Sequence, residues 1–149
     1  MTPLLSTALA THIILGVAAI GLTYFAFMQL LRSTPAIGWA LTLTTWSTVL
    51  FFISWGSSAY YYVAYYGKAV KPVIKAGEYP WAHAVFMEGK EHVFLFLPFM
   101  ALTLTLGLAF LRRNQNSQLQ KALAVLAGTL VILATFVAVA GIVVSGAAR

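Results

Sequence analysis

The chain lacks cysteine and aspartate altogether, and only three of its 149 residues are acidic. Without cysteine it cannot form disulfides, thiolate metal sites, iron–sulfur ligation or the covalent attachment of a c-type haem. Without aspartate it has no Ser-His-Asp arrangement, which argues against a hydrolase of that kind. The chemistry open to this protein therefore rests on histidine, glutamate, tyrosine and lysine.

Charge of either sign is scarce, because charged residues make up 8% of the chain and hydrophobic residues 61%. Soluble domains carry about 25% charged residues, so this surface cannot be covered against water. The composition predicts an integral membrane protein with a single domain, residues 1–149, in contact with the lipid bilayer. The formal charge of +6 forms no basic face that could follow phosphates, so no nucleic-acid partner is expected.

Four long apolar runs predict transmembrane helices at about residues 3–32, 35–66, 81–112 and 117–145. Each run exceeds the roughly 20 residues needed to cross a bilayer. The links at 32–35 and 113–117 are short, which predicts antiparallel neighbours, and residues 67–79 are expected to form a longer link. The predicted fold class is all-α, an integral membrane four-helix bundle with up-down-up-down topology.

The loop charges are nearly balanced between the two predicted membrane faces. Lysine and arginine set orientation in membrane proteins, and acids contribute little. The adjacent Arg112 and Arg113 directly follow an apolar run, which favours that side as cytoplasmic. We therefore expect the bacterial inner membrane, with both termini and the histidine- and glutamate-containing segment on the periplasmic side.

The ionisable residues are concentrated at the start of the third predicted helix. All three acids, Glu78, Glu88 and Glu91, lie here together with His83 and His92. Charged or imidazole groups beside a membrane span are costly to desolvate, so such a cluster predicts a functional site. The alternative is structural, since acids in the first turns of a helix are stabilised by its dipole.

Two histidines are predicted to lie at the same membrane depth. His12 precedes Arg32 by 32 − 12 = 20 residues, and His92 precedes Arg112 by 112 − 92 = 20 residues. Both spacings correspond to about 30 Å of helix. We expect the two imidazoles to face each other from the first and third helices. Small residues at this depth would leave room for a flat ligand: Gly16, Gly56, Gly141 and Gly146.

Three uses of these residues remain open. His12 and His92 could be the axial ligands of one haem b, with Glu88 or Glu91 beside it. Alternatively, His12, Glu88, Glu91 and His92 could bind a non-haem metal ion. The third use is a quinone pocket or proton path. His83 is expected about 13 Å further out, in the headgroup region, and the tyrosines between positions 60 and 66 form an aromatic belt with one or two members turned inward.

The arrangement resembles small four-helix b-type cytochromes of the membrane, including relatives of cytochrome b561 and several bacterial families. The resemblance rests on Thr11-His12-Ile-Ile-Leu-Gly16 opening the first helix and Glu91-His92-Val-Phe opening the third. It implies one haem, because a second histidine pair on the opposite membrane face is missing. The departure from the cytochrome b561 pattern means that electrons would not cross the membrane through this chain alone.

Two functions follow as expectations. The first is a redox protein with a haem or metal site near one membrane face, which transfers electrons with quinone or a partner protein. The second is a non-catalytic accessory subunit of a larger respiratory or photosynthetic membrane complex, suggested by the small size and short loops. Either role is that of an electron-transfer or accessory component rather than an enzyme with its own substrate reaction.

Overall fold

The computed structural model of the chain describes residues 2–148. Within that range the protein is 90% helical and contains no strand, as the all-α prediction requires. Four helices follow one another: α1 (Pro3–Leu30), α2 (Ile37–Ala76), α3 (Ala82–Asn114) and α4 (Ser117–Ala147). Each is long and apolar enough to cross a membrane.

The ends of the helices follow from local sequence. Pro3 occupies the first turn of α1, where its missing N–H costs no hydrogen bond. The side chain of Asn116 accepts hydrogen bonds from the backbone N–H groups of Gln118 and Leu119 and so caps α4. Gln115 adopts a positive φ of 27° in the tight turn between α3 and α4. The short links were therefore predicted correctly.

The second helix is longer than predicted. Residues 67–76, expected to form a link, continue α2 as a π-helical segment, Tyr62–Val70, followed by a last α-helical stretch, Lys71–Ala76. This stretch contains Lys68, Lys71 and Lys75 and was expected to lie outside the helix. Lysine is a good helix former and can extend from a helix towards water, so its charge marks a change of surroundings rather than a helix end.

The four helices form a ring in which each packs against its neighbours in sequence, and α1 and α4 close the ring. Adjacent helices run in opposite directions. His12 and Thr23 of α1 contact Ser54 and Ser47 of α2, so residue numbers rise along one helix as they fall along the other. The centre is filled mainly by leucine and alanine, including Leu104, Leu108, Leu130, Ala19 and Ala127.

Polar side chains join the helices inside this apolar core. Thr23 and Ser47 are 2.7 Å apart at their hydroxyl oxygens, and Thr48 and Thr105 are 2.9 Å apart. Interhelical hydrogen bonds between small side chains are common where helices pack in lipid. Large apolar side chains cover the outside instead, among them Ile14, Phe25, Phe96, Val125 and Ile142. Such a surface suits contact with lipid.

Candidate functional site

A cavity of about 500 Å³ lies at the end of the bundle that contains His12, and it opens to the outside, since the exposed side chains of Ile13, Val17 and Ile142 form part of its lining. Its walls are mostly apolar, and α1, α2, α3 and α4 all contribute. Gly16, Gly141 and Gly146 line it, whereas Gly56, which was expected with them, is exposed and does not. We refer to this cavity as the bundle pocket. Its polar side chains are those of His12, Ser54, Lys90 and Ser145.

His12 is held in one orientation by Ser54. The Nδ1–H of His12 donates to the Ser54 hydroxyl at 2.9 Å and to the Ser54 carbonyl at 3.2 Å. The Ser54 hydroxyl donates in turn to the His12 carbonyl at 2.9 Å. A carbonyl can only accept, so these contacts assign the proton to Nδ1. In the neutral ring, Nε2 is then left with a lone pair that can accept a hydrogen bond or bind a metal.

Lys90 brings a cation to the same pocket. Its position on α3 places it on the face that carries Phe94 and Leu97, which also line the pocket. Its ammonium nitrogen packs against Gly141, where an added Cβ would lie 3.2 Å from it. Within residues 2–148 Lys90 has no hydrogen-bond or ion-pair partner. Lys90 was not predicted from the sequence as part of a site.

The predicted partner of His12 lies elsewhere. Phe94, rather than His92, contacts the His12 ring, with the centroids 5.4 Å apart in an edge-to-face arrangement. His92 is exposed, and its Nδ1–H donates to the Glu88 carbonyl at 2.7 Å. Positions 92 and 94 point about 200° apart on an α-helix. His92 therefore lies two residues from the side chain that contacts His12, but on another face of α3.

The two predicted glutamate ligands also lie outside the bundle pocket. Glu88 is exposed on the same side of α3 as His92, while Glu91 is partly buried with its Oε1 enclosed. The structure does not bring His12, Glu88, Glu91 and His92 into one site. In the part of the chain that it describes, no three histidine or acidic side chains are grouped so that they could hold a metal ion.

A second polar cluster surrounds His83. This side chain, which was expected in the headgroup region, is 1% exposed and so lies inside the protein. Its Nδ1 lies 3.0 Å from the Tyr66 hydroxyl, and its Nε2 lies 3.9 Å from Glu88 Oε1 without a hydrogen-bond partner among the described residues. Tyr66 is 4% exposed, so it is one of the tyrosines that turn inward. We call Tyr66, His83 and Glu88 the His83 cluster.

The His83 cluster depends on two π-helical segments, Tyr62–Val70 in α2 and Ala82–Met87 in α3. On a regular α-helix, His83 and Glu88 would point about 140° apart. A π-helix closes its hydrogen bonds between residues five apart and so brings positions i and i+5 to the same side. Nothing in the sequence predicted these segments, which is why the cluster was missed.

Comparisons with protein-family models, with curated proteins and with solved structures found no match to this chain. The resemblance to b-type cytochromes therefore stays a prediction.

Proposed function

We propose that the protein is a membrane-embedded redox component that binds a quinone or quinol in the bundle pocket and exchanges electrons with a partner protein. The observation that carries the proposal is that His12 and Lys90 both line a mostly apolar cavity and that each can still form a hydrogen bond. A pocket of about 300–1,000 Å³ with apolar walls and a few convergent polar groups is the usual form of a small-molecule site.

The two polar residues suit the two oxygens of a quinone ring. Lys90 donates a hydrogen bond to a quinone carbonyl, which compensates an ammonium that otherwise lies unpaired against Gly141. His12 accepts a hydrogen bond at Nε2 from a quinol hydroxyl, because Ser54 holds its other nitrogen protonated. The apolar wall of Ile13, Val17 and neighbouring residues suits an isoprenoid tail.

Equilibrium dialysis of the detergent-purified protein tests this function. Short-tailed ubiquinone and menaquinone analogues are the probes, and a fatty acid with a tail of similar length is the comparison. We expect saturable binding of a quinone with one site per chain, and weaker binding when Lys90 is replaced. Binding of the fatty acid without binding of either quinone would identify a lipid site and refute the redox function.

Haem b, or a non-haem metal ion, is the second candidate cofactor. The observation in its favour is the hydrogen bond at Nδ1 of His12, which leaves Nε2 of that ring available as a ligand; His92 lies on another face of α3, so the second ligand would have to come from elsewhere. Metal-binding histidines usually donate their other N–H to a carbonyl or carboxylate in this way. Absorption spectra of oxidised and reduced protein, with elemental analysis, test it. A Soret band or stoichiometric iron, lost in His12→Ala, would place this cofactor ahead of quinone.

The partner is expected on the outer side of α3. Glu88 and His92 share that side and are exposed, although both lie within a helix long enough to span the membrane. Ionisable groups on a lipid-facing surface are rare, so a neighbouring subunit is the better environment for them. The alternative role as an accessory subunit of a larger complex rests on the same surface. Cross-linking from position 92 and identification of the captured membrane protein distinguishes a specific partner from none.

The proposed location is the bacterial inner membrane, with the bundle pocket and the His83 cluster towards the periplasm. Because the chain has no cysteine, single cysteines give an unambiguous test. Glu78→Cys is placed between α2 and α3, and Asn114→Cys at the opposite end of α3. A maleimide that cannot cross the membrane should label only Glu78→Cys in intact cells after the outer membrane is made permeable. Labelling of Asn114→Cys alone would reverse the orientation.

A further inference from the structure

The bundle pocket is open on one side, between the first and the last helix. The residues that α2 and α3 contribute to its lining are all buried or partly buried: Phe51, Ser54, Lys90, Phe94 and Leu97. The exposed residues of the lining all come from α1 and α4: Ile13, Val17, Ile142, Ser145 and Gly146. We call the gap between these last five residues the α1–α4 opening.

The packing at this end of the bundle explains why the gap lies there. The hydrogen bonds between His12 and Ser54 join α1 to α2. A second apolar cluster joins the end of α2, the start of α3 and the end of α4, and its buried members are Tyr66, Ile74, Ala82, Met87 and Val144. Among the described residues, α1 contributes no member to that cluster. The side between α1 and α4 is therefore the one that these contacts leave unjoined.

Further along the bundle α1 and α4 pack closely. The ring of Phe27 lies against Gly128, where an added Cβ would be 3.1 Å from it. The two helices run in opposite directions, so equal steps along both lead from this contact to Ile13 and Ile142, with 27 − 13 = 14 and 142 − 128 = 14 residues. That distance is about 21 Å. The seam between α1 and α4 is thus closed at Phe27 and open beside the bundle pocket.

The α1–α4 opening faces sideways from the bundle. Ile13 lies 13 − 3 = 10 residues, or about 15 Å, from the first residue of α1. Its side chain is 54% exposed, and that of Ile142 is 72% exposed. Both belong to helices that are long and apolar enough to cross a membrane. In a bundle that crosses a membrane, an exposed apolar side chain at this depth contacts lipid, so the opening leads into the bilayer.

The polar groups of the pocket come mainly from its closed side. Ser54 belongs to α2 and holds His12, while Lys90 extends from α3 to the partly buried Gly141. The opening itself is apolar except for Ser145. A ligand that matches both parts has a polar head, which lies inside, and an apolar tail, which extends outwards. A quinone with an isoprenoid tail has this form, because its polar atoms are the two ring oxygens.

We propose that the bundle pocket takes up its ligand sideways from the bilayer, and that a bound quinone has its ring inside and its isoprenoid tail in the α1–α4 opening. The choice of a quinone rests on the proposed function, whereas the sideways route rests on the opening itself. The substrate is then a long-tailed quinone that reaches the pocket without leaving lipid. The tail gains little free energy on moving from lipid into the opening, because both surroundings are apolar. It orients the ring, and the decisive test is where the tail lies.

Photochemical cross-linking in lipid nanodiscs locates the tail. The probe is a menaquinone analogue with a diazirine in the middle of its isoprenoid tail, and mass spectrometry identifies the labelled residues. Labelling that persists with an excess of the same quinone without diazirine is subtracted as background from probe dissolved in lipid. We expect the remaining labels on and next to Val17 and Ile142. Labels on the equally exposed Ile53 of α2 or Phe96 of α3 in their place would overturn the proposal.

A substitution in the opening tests the same route by affinity. Val17→Trp adds bulk at an exposed position that lines the pocket, and Ile14→Trp is the matched control, since Ile14 is exposed on the same helix but does not line it. Val17→Trp should weaken binding of the long-tailed quinone roughly tenfold, the usual scale of an overpacking cost. Binding of a quinone without a tail should change less, and Ile14→Trp should alter neither. Circular dichroism verifies the fold of both variants, and an unchanged affinity for the long-tailed quinone in folded Val17→Trp would contradict the proposal.

A second probe separates this proposal from the proposed function. It is a fatty acid with a diazirine at the same distance along its chain, used with an excess of unlabelled fatty acid. If no quinone binds but the fatty acid specifically labels Val17 and Ile142, the redox function fails and the sideways route stands. If neither probe labels these positions specifically, the α1–α4 opening is not an entry route and the proposal is overturned.

Discussion

Replacing Lys90 by methionine should raise the stability of the free protein and weaken its binding of quinone. Methionine has a similar length and no charge, so the apolar lining of the pocket remains filled. The free protein should become more stable, because the ammonium lies against Gly141 without a partner among the described residues. Apolar replacement of a buried ion pair is often neutral or stabilises by about 1–4 kcal/mol. Lys90 is only partly buried, so its replacement should stabilise by an amount at the lower end of that range.

Quinone binding should become weaker in the same variant. A hydrogen bond from a charged donor contributes about 1.5–3 kcal/mol, and the variant loses the one from Lys90 to the quinone carbonyl. At about 1.4 kcal/mol for each tenfold change, the dissociation constant should rise by roughly 10- to 100-fold. Binding is measured by equilibrium dialysis, and stability by unfolding in mixed micelles with increasing dodecyl sulfate.

The control is Lys121→Met, which changes an exposed lysine near the start of α4, away from the bundle pocket. It should alter neither the quinone affinity nor the free energy of unfolding beyond a few tenths of a kcal/mol, as is usual for surface substitutions. The reasoning is refuted if Lys90→Met lowers the stability of the free protein and leaves the quinone affinity unchanged. That result would mean that Lys90 has a structural role and does not face a ligand.

Three further substitutions test other parts of the structure. Ser54→Ala removes the hydroxyl but keeps the backbone carbonyl that accepts from Nδ1, so the ¹⁵N shifts of the His12 ring should still report the Nδ1–H tautomer, and a change to the Nε2–H tautomer would contradict the assignment. Gly146→Leu should abolish ligand binding because Gly146 lines the bundle pocket, and it should affect folding little because an added Cβ there meets nothing within 4 Å. Gly38→Leu, which is equally open but lies outside the pocket, should leave ligand binding unchanged. Thr23→Val removes a buried hydrogen bond between α1 and α2 and should destabilise by about 0.6 kcal/mol in micelle unfolding, and a loss above about 2 kcal/mol would show that the hydroxyl does more than join the helices.

The sequence predicted the four helices and their short connections because these features depend on local composition. Apolar runs of sufficient length form helices in lipid, where the backbone must satisfy its own hydrogen bonds. The apolar run predicted that α4 starts near residue 117, and in the structure Asn116 caps that start. The end of α2 was predicted wrongly, since the lysines between 68 and 75 changed the composition without changing the backbone.

The sequence predicted how far along α1 and α3 the two histidines lie, but not the direction in which their side chains point. The rise of a helix is constant, so the spacing to Arg32 and Arg112 gave the level of His12 and its counterpart on α3. The residue that contacts His12 is Phe94, and Lys90 lies one turn before it on the same face. The rotation of a helix about its axis is set by packing against three neighbours at once, and no short stretch of sequence contains that information.

Composition and periodicity by themselves determined that this chain is a set of long apolar helices, with all three acids and two of its three histidines between positions 78 and 92, because each of those properties belongs to a segment of the chain considered alone. The tertiary structure decided which of these groups meet. Lys90 and His12 both line the bundle pocket, His92 points away from it, and His83 is buried against Tyr66. The physical reason is that both π-helical segments change the direction of side chains by a fraction of a turn, and such a change is fixed by contacts between residues that are distant in sequence.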